Sequence, residues 1–195
     1  MRRPRRRHTL ALRCRDIRQY MHCGESVLFA RIVDYGGHLR PRHYFDDAIE
    51  NMLNNFNSFG FTVDTDLSQQ QPPGPTCGVV AVAAAARLSF ADWRTANVAS
   101  AAHPSLVQQA CAALDLPHIT KPLTRSHLHK LYSAHPHIRA SPSDLRVLAY
   151  DELWQQVSRD VVTCASVKSV LVVNDQPRCM RGAHWFTVAY TVQYA

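Results

Sequence analysis

An α+β domain is predicted by the order in which helical and strand patterns occur along the sequence. Apolar or amphipathic segments with helical periodicity follow one another between residues 44 and 159. Two runs of β-branched and aromatic residues come after them, at 169–173 and 184–190, and indicate buried strands. Because helices and strands do not alternate regularly, a βαβ architecture is not expected.

The elements predicted in chain order are a strand at 27–33, helices at 44–56, 77–88, 105–114 and 126–134, a strand at 145–150, a helix at 151–159, and the two C-terminal strands. The helix at 77–88 is apolar on nearly all sides, so it should be buried. Residues 64–75 are polar and rich in proline, which indicates a loop. Asp151 is the expected N-cap of the last helix.

Charge divides the chain into a basic arm and a nearly neutral domain. Residues 1–43 contain eleven arginines against three acidic residues, a net charge of +8, whereas residues 44–195 contain eleven basic and twelve acidic residues, a net charge of −1. We therefore expect an arginine-rich arm over 1–43, with the short strand inside it, and one folded domain over 44–195. The arm is suited to weak electrostatic binding of nucleic acid, but no nucleic-acid partner is expected otherwise.

Composition also predicts the compartment. No apolar stretch reaches the length of about 20 residues that a membrane-spanning helix needs, so no membrane partner is expected. The six cysteines form no CxxC pair and follow no secretory leader pattern. Free thiols in the cytoplasm are therefore expected, with a mitochondrial transit peptide as the alternative for the N-terminal segment.

Cys77 is the first candidate for chemistry. It follows a loop of prolines and glycine and begins the apolar helix, where the helix dipole favours a thiolate. Gly78 is expected to let a substrate backbone approach. The alternative is that Cys77 is a small buried hydrophobic side chain, which is the usual environment of a free cysteine.

His184 is the candidate base, at the mouth of the last predicted strand and 107 residues after Cys77. The two residues together predict a Cys–His dyad in which imidazole accepts the thiol proton. Gln71, six residues before Cys77, is the candidate donor to a developing oxyanion, with Gln69 and Gln70 as alternatives.

The residue that orients the imidazole is harder to place. Such a carboxylate or amide commonly lies on the strand after the histidine, where the sequence provides only Gln193. Asp175 is the candidate instead, with Asn174 as an alternative. No cofactor is expected. The histidines at 127, 129, 135 and 137 lack cysteine or carboxylate partners at ligand spacing, so no metal site is predicted either.

Two segments carry a resemblance to a known family. The order of glutamine, helix-initial cysteine and late histidine resembles the papain-like cysteine peptidases. Residues 74–82 (GPTCGVVAV) and 174–185 (NDQPRCMRGAHW) are further similar to the nucleophile and histidine segments of the actin maturation proteases. The resemblance implies a papain-like fold, in which a helical half carries the cysteine and an antiparallel sheet carries the histidine. It also implies a thiol aminopeptidase that removes the acetylated first residue of actin, with Cys77 as nucleophile and His184 as base.

Two alternatives remain open. Residues 184–188 (HWFTV) also resemble the histidine segment of the Josephin-type deubiquitinases, which would make ubiquitin conjugates the protein substrate. The second alternative is a catalytically impaired binding module of the same fold, because no residue that orients the histidine is evident.

Overall fold

The computed structural model describes residues 26–36, 42–70, 74–90, 105–134, 146–163, 166–178 and 184–194. Within these ranges the elements are β1 (Ser26–Gly36), α1 (Arg42–Ser58), β2 (Thr62–Gln70), α2 (Cys77–Phe90), α3 (Ser105–Leu114), α4 (Arg125–Ala134), β3 (Arg146–Leu148), α5 (Tyr150–Val162), β4 (Val167–Asn174) and β5 (Trp185–Tyr194). The predicted α+β class is confirmed, but β1–α1–β2 and β3–α5–β4 each join two parallel strands through a helix, so the expectation of no βαβ unit is wrong.

One five-stranded sheet, in the order β2-β1-β5-β4-β3, organises the described chain. The outer pairs β1–β2 and β3–β4 are parallel, whereas β5 runs antiparallel to both of its neighbours. Four strands therefore share one direction and β5 opposes them, so the sheet is mixed and not the antiparallel sheet that the papain-like resemblance implies. Their carboxyl ends and the amino end of β5 meet at one side of the sheet, which we call the carboxyl edge.

β1 is an internal strand of this sheet. It pairs with β2 on one side and along eight residues with β5 on the other. Ala30, Ile32 and Val33 are fully buried. The boundary predicted between residues 43 and 44 assigns this strand to a basic arm, but its pairing moves the start of the folded domain to Ser26 or earlier.

β2 corrects a second expectation, since much of it falls in the segment predicted to be a loop. Within the described sheet, β2 is an edge strand that pairs with β1. Its residues 62–67 are exposed or half-buried, so the strand does not need the apolar alternation of a buried strand. Its Asp64 and Asp66 carboxylates instead form ion pairs with buried Arg31, at 3.7 and 3.5 Å.

Helices cover both faces of the sheet. One apolar cluster joins α1 and α5 to the face that carries Ile32, Leu171 and Tyr190, and another joins α2, α3 and α4 to the face that carries Val172 and Trp185. α2 is buried on almost every side, as its sequence predicts. In the ranges that the structure describes, no helix is long and apolar enough to cross a membrane.

Candidate active site

The nucleophile candidate lies at the first residue of α2. Gly74 has a φ of +96°, which turns the chain just before the helix in a conformation that favours glycine. The Thr76 carbonyl then accepts hydrogen bonds from the N–H groups of Val79 and Val80, at 2.9 and 3.2 Å. This turn fixes Cys77 at the amino terminus of a buried helix, where the helix dipole favours negative charge.

Gly78 serves close packing, which corrects the expected approach of a substrate backbone. A Cβ built on Gly78 would lie 2.8 Å from Leu128 Cδ2, 3.3 Å from Trp185 Cδ1 and 3.4 Å from Leu123 Cβ. All three are buried side chains. The absence of a side chain at this position therefore brings the start of α2 against α4 and β5.

Two hydrogen bonds attach β5 to its surroundings near the site. Thr187 Oγ1 donates to the Ala81 carbonyl of α2 at 2.8 Å, and Trp185 Nε1 donates to the Leu123 carbonyl at 3.1 Å. Both side chains lie on the face of β5 that packs against α2. They fix the helix that begins with Cys77 relative to the strand that follows His184.

The backbone of His184 is held by the end of β4. Asn174 Nδ2 and the Asp175 N–H both donate to the His184 carbonyl, at 3.2 and 3.1 Å. The His184 N–H donates to Asp175 Oδ1 at 3.1 Å. Asp175, predicted to orient the imidazole, thus holds the main chain of His184 instead.

The carboxylate that contacts the imidazole belongs to Asp34. Its Oδ1 lies 2.5 Å from His184 Nε2. Asp34 is near the end of β1, and its neighbour Val33 pairs with Thr187 of β5, so the sheet places Asp34 beside the start of β5. The imidazole also packs edge-on against Phe186, with ring centroids 4.8 Å apart. A carboxylate and a ring together fix its orientation.

The Cys77 side chain lies close enough to the His184 imidazole to help raise its pKa. Because Asp34 holds Nε2, Nδ1 is the ring nitrogen that remains for the thiol. Burial lowers the pKa of His184, but the hydrogen bonds to Asp34 and Cys77 and the charges of both partners outweigh it and raise the pKa to about 9. The arrangement therefore favours the protonated form of the His184 imidazole.

Burial strengthens these interactions. Cys77, His184 and Asp34 are 4%, 3% and 5% exposed, so bulk water screens little of their mutual attraction. The three residues come from α2, the start of β5 and β1, and all lie at the carboxyl edge. This is the geometry of a thiol nucleophile, a general base and a residue that orients the base.

The remaining predicted residues have different placements. Gln71 lies outside the described residues, and Gln69 and Gln70 end β2. Gln193 pairs with Val27 near the far end of β5, about 30 Å of extended strand away from His184. It is too distant to orient the imidazole.

Asp34 is the functional residue that the sequence analysis missed. Its signal was an acidic residue directly after the apolar run at 27–33, at a strand end that precedes two glycines. Nothing local showed that β1 would lie next to β5.

Among the described residues, no group of three or more histidine, cysteine, aspartate or glutamate side chains is arranged to hold a metal ion. His127 and His129 lie on α4, and His135 and His137 fall outside the described ranges.

Comparison of the chain with protein-family models, curated proteins and solved structures finds no match.

Proposed function

We propose that this protein is a cysteine hydrolase that cleaves amide bonds with a Cys77–His184–Asp34 triad. The single observation that carries the proposal is the placement of His184, whose imidazole contacts the Asp34 carboxylate and the Cys77 thiol at the amino terminus of α2. A histidine with only a structural role does not require both a carboxylate and a thiol beside its ring.

The proposed reaction begins with proton transfer between Cys77 and His184. His184 takes the thiol proton of Cys77, and the thiolate sulfur attacks the carbonyl carbon of the substrate. The resulting oxyanion is stabilised by the Cys77 backbone N–H at the helix terminus, together with the Gln71 side chain. The imidazolium then donates its proton to the leaving amine, which leaves an acyl group on Cys77.

Deacylation reverses these roles. His184 removes a proton from water, the resulting hydroxide attacks the thioester carbonyl, and the Cys77 thiolate leaves and recovers a proton. Throughout the cycle Asp34 stays ionised, holds Nε2 and stabilises the imidazolium. Two protons pass through the ring in each cycle: the thiol proton goes to the leaving amine, and a proton from water restores the thiol.

The geometry of the site does not identify a substrate, so the substrate is proposed from the sequence resemblance. Residues 74–82 and 174–185 favour a papain-like aminopeptidase that removes the acetylated first residue of actin in the cytoplasm. The Josephin-like segment makes a ubiquitin conjugate the alternative substrate. The binding-module alternative depended on the lack of a residue to orient the imidazole, and Asp34 weakens that argument.

Selective alkylation tests the proposed triad. We expect iodoacetamide to label Cys77 much faster than Cys111, a free cysteine that is partly exposed on α3. His184→Ala should abolish the fast reaction at Cys77, whereas Cys111→Ser should leave it unchanged. Peptide mapping by mass spectrometry identifies the labelled residue. Equal labelling rates for the two cysteines, or a fast Cys77 in His184→Ala, would overturn the proposal.

Two substrates test the finer proposal. The protein is incubated with an acetylated actin N-terminal peptide and, separately, with a ubiquitin C-terminal electrophile. Release of the acetylated first residue, dependent on Cys77, supports the aminopeptidase. Adduct formation with the ubiquitin probe alone would favour the deubiquitinase instead. Cys77→Ala is the control in both reactions.

A further inference from the structure

A cavity of about 650 Å³ at the carboxyl edge is lined by neighbours of the proposed catalytic residues, although Cys77, His184 and Asp34 do not themselves line it. Its wall includes Trp185, which directly follows His184, and Asn174, whose amide holds the His184 carbonyl. Leu123, which also lines it, packs against Gly78, the neighbour of Cys77. The volume is within the range of ligand-binding pockets. Space for part of a substrate therefore adjoins the proposed nucleophile.

Basic side chains are the only charged ones that line this cavity in the described part of the chain. They are Lys121, Arg125 and Arg178. Glu152 lies next to the two arginines: its Oε2 is 3.2 Å from Arg125 Nη1, and its Oε1 is 3.5 Å from Arg178 Nη1. Three positive charges therefore line the cavity, and one carboxylate outside its lining pairs with two of them.

Glu152 is itself fixed, because its Oε2 also accepts the Ala149 N–H at 2.8 Å, at the start of α5. This replaces the expected N-cap Asp151, whose Oδ1 instead accepts the Arg178 backbone N–H at 2.9 Å. One guanidinium nitrogen of each arginine contacts Glu152, and an arginine has five N–H donors. Glu152 therefore positions both guanidinium groups and leaves donors for a ligand.

The basic groups are accessible. The side chains of Arg125 and Arg178 are 47% and 77% exposed, and Lys121 is also exposed. The two nearby acidic residues, Asp151 and Glu152, do not line the cavity. A ligand in the cavity therefore meets cations directly, whereas the compensating carboxylates lie behind or beside them.

We propose that this cavity is a subsite for acidic side chains of a peptide, with Lys121, Arg125 and Arg178 as the specificity-determining residues. The assignment deepens the proposed function and rests on it. A forked guanidinium matches a carboxylate in bidentate geometry. The rest of the wall comes largely from proline and aliphatic residues, and its one aromatic, Trp185, is buried and fixed by its bond to Leu123. A peptide fits such a wall better than nucleic-acid bases, which bind by stacking on accessible aromatic rings.

Direct binding tests this subsite without requiring turnover. Fluorescein-labelled acetylated peptides of alternating alanine and glutamate, and their glutamine counterparts, are titrated with the full chain and followed by anisotropy. We expect about tenfold tighter binding of the glutamate peptide at low ionic strength, and a smaller preference at high salt. Arg125→Gln combined with Arg178→Gln should remove most of the preference, and Lys121→Gln part of it.

The matched control is Lys130→Gln combined with Arg159→Gln. These exposed residues do not line the cavity, and their loss changes net charge by the same amount. The control should keep the preference of the wild-type protein. Circular dichroism of each variant verifies folding. Equal affinity for the two peptides, or a preference that survives the paired arginine substitutions, would overturn the subsite.

Two further measurements distinguish this proposal from a nucleic-acid surface and from the proposed hydrolase activity. An oligothymidylate of the same charge that binds as tightly as the glutamate peptide would instead identify a nucleic-acid surface. Protection of Cys77 from iodoacetamide by bound glutamate peptide places the peptide at the carboxyl edge. Selective binding of the glutamate peptide without a reactive Cys77 would refute the proposed hydrolase and support the subsite. A reactive Cys77 without selectivity for the glutamate peptide would refute the subsite and support the hydrolase.

Discussion

The Asp34 carboxylate contacts Nε2 of His184 at 2.5 Å, although 150 positions separate the two residues in the sequence. The contact depends on sheet order, because β1 lies directly beside β5 and is antiparallel to it. The proposed nucleophile, Cys77, begins a helix that lies between them in the chain. A strand that precedes the nucleophile therefore completes the proposed triad.

Asp34→Asn should keep the shape of the site and remove its charge. The hydrogen bond and charge of Asp34 help raise the pKa of His184 to about 9, so the substitution should lower that pKa toward 6.5. With less imidazolium to stabilise the thiolate, hydrolysis should fall by about 100-fold or more. NMR titration of the His184 ring and the pH dependence of Cys77 alkylation measure the change in the imidazole, and turnover of the acetylated actin peptide measures the loss of hydrolysis.

The charge-matched control for this substitution is Asp64→Asn, on the neighbouring strand β2. Asp64 pairs with Arg31 at 3.7 Å and is half-exposed. Its loss should leave the pKa of His184 near 9. An unchanged alkylation profile in Asp34→Asn would show that Asp34 does not tune the imidazole.

The stability of the protein should depend on the protonation of His184. The pKa is about 9 in the folded protein against an ordinary value of 6.5, so between these values the folded state keeps a proton that the unfolded state has lost. The resulting stabilisation is complete below pH 6.5 and is lost as the pH rises through about 9. The free energy of unfolding should fall by up to about 1.4 kcal/mol per pH unit across this window.

Urea unfolding at a series of pH values measures this dependence, with His184→Gln as the comparison. The difference between wild type and variant isolates His184 from other groups that titrate in the same range. We expect the wild-type slope to exceed that of the variant between pH 6.5 and 9. Parallel pH profiles for the two proteins would contradict the raised pKa.

Tyr190→Phe should destabilise the apolar cluster that joins α1 and α5 to the sheet. The Tyr190 hydroxyl donates to Asp160 Oδ2 at 2.5 Å, and the other carboxylate oxygen accepts from Gln156 at 2.8 Å. Burial and this hydrogen bond to Asp160 raise the pKa of Tyr190. Phenylalanine keeps the ring contacts but leaves a buried carboxylate with one donor fewer, which should cost about 2 kcal/mol by chemical denaturation.

Tyr194→Phe is the matched control for this change. It makes the same substitution on the same strand, but the Tyr194 hydroxyl donates to the neutral carbonyl of Val161. A bond to a neutral acceptor contributes about 1 kcal/mol, so the effect should be smaller. A larger loss at Tyr194 than at Tyr190 would show that the buried carboxylate does not depend on its tyrosine donor.

Much of the fold could be predicted because several elements carry strong local patterns. The apolar run after Cys77 predicts a buried helix at 77–88, and α2 extends from Cys77 to Phe90. The predicted strand at 169–173 lies inside β4. β2 could not be predicted in the same way, because an edge strand with polar side chains lacks the alternation that identifies a half-buried strand.

The residues of the candidate site also differ in how far the sequence alone could predict them. Cys77 and His184 have local signals, a glycine-proline loop before a helix and a histidine at a strand mouth. Asp34 has none comparable, since its role depends on which strands become neighbours after folding. Asp175 is close to His184 in sequence, and that proximity places its carboxylate against the backbone of His184 and not against the ring.

Gly78→Ala should destabilise the protein even though alanine favours helices more than glycine. The new Cβ would lie 2.8 Å from Leu128 Cδ2, and Leu128 is fully buried on α4. Overpacking of this kind costs about 1–3 kcal/mol, against a gain of up to about 1 kcal/mol from helix propensity. We expect a net loss of about 1–2 kcal/mol by denaturant unfolding, with slower alkylation of the adjacent Cys77.

A double-mutant cycle with Leu128→Ala isolates the proposed clash. Leu128→Ala alone should be destabilising because it opens a cavity, by about 2–5 kcal/mol. In that background the methyl group introduced by Gly78→Ala has no Leu128 Cδ2 to meet, so this substitution should become neutral or stabilising and the coupling energy should be favourable. Additive losses would mean that the cost of replacing Gly78 comes from elsewhere, for instance from a displaced Trp185, whose Cδ1 would lie 3.3 Å from the same Cβ.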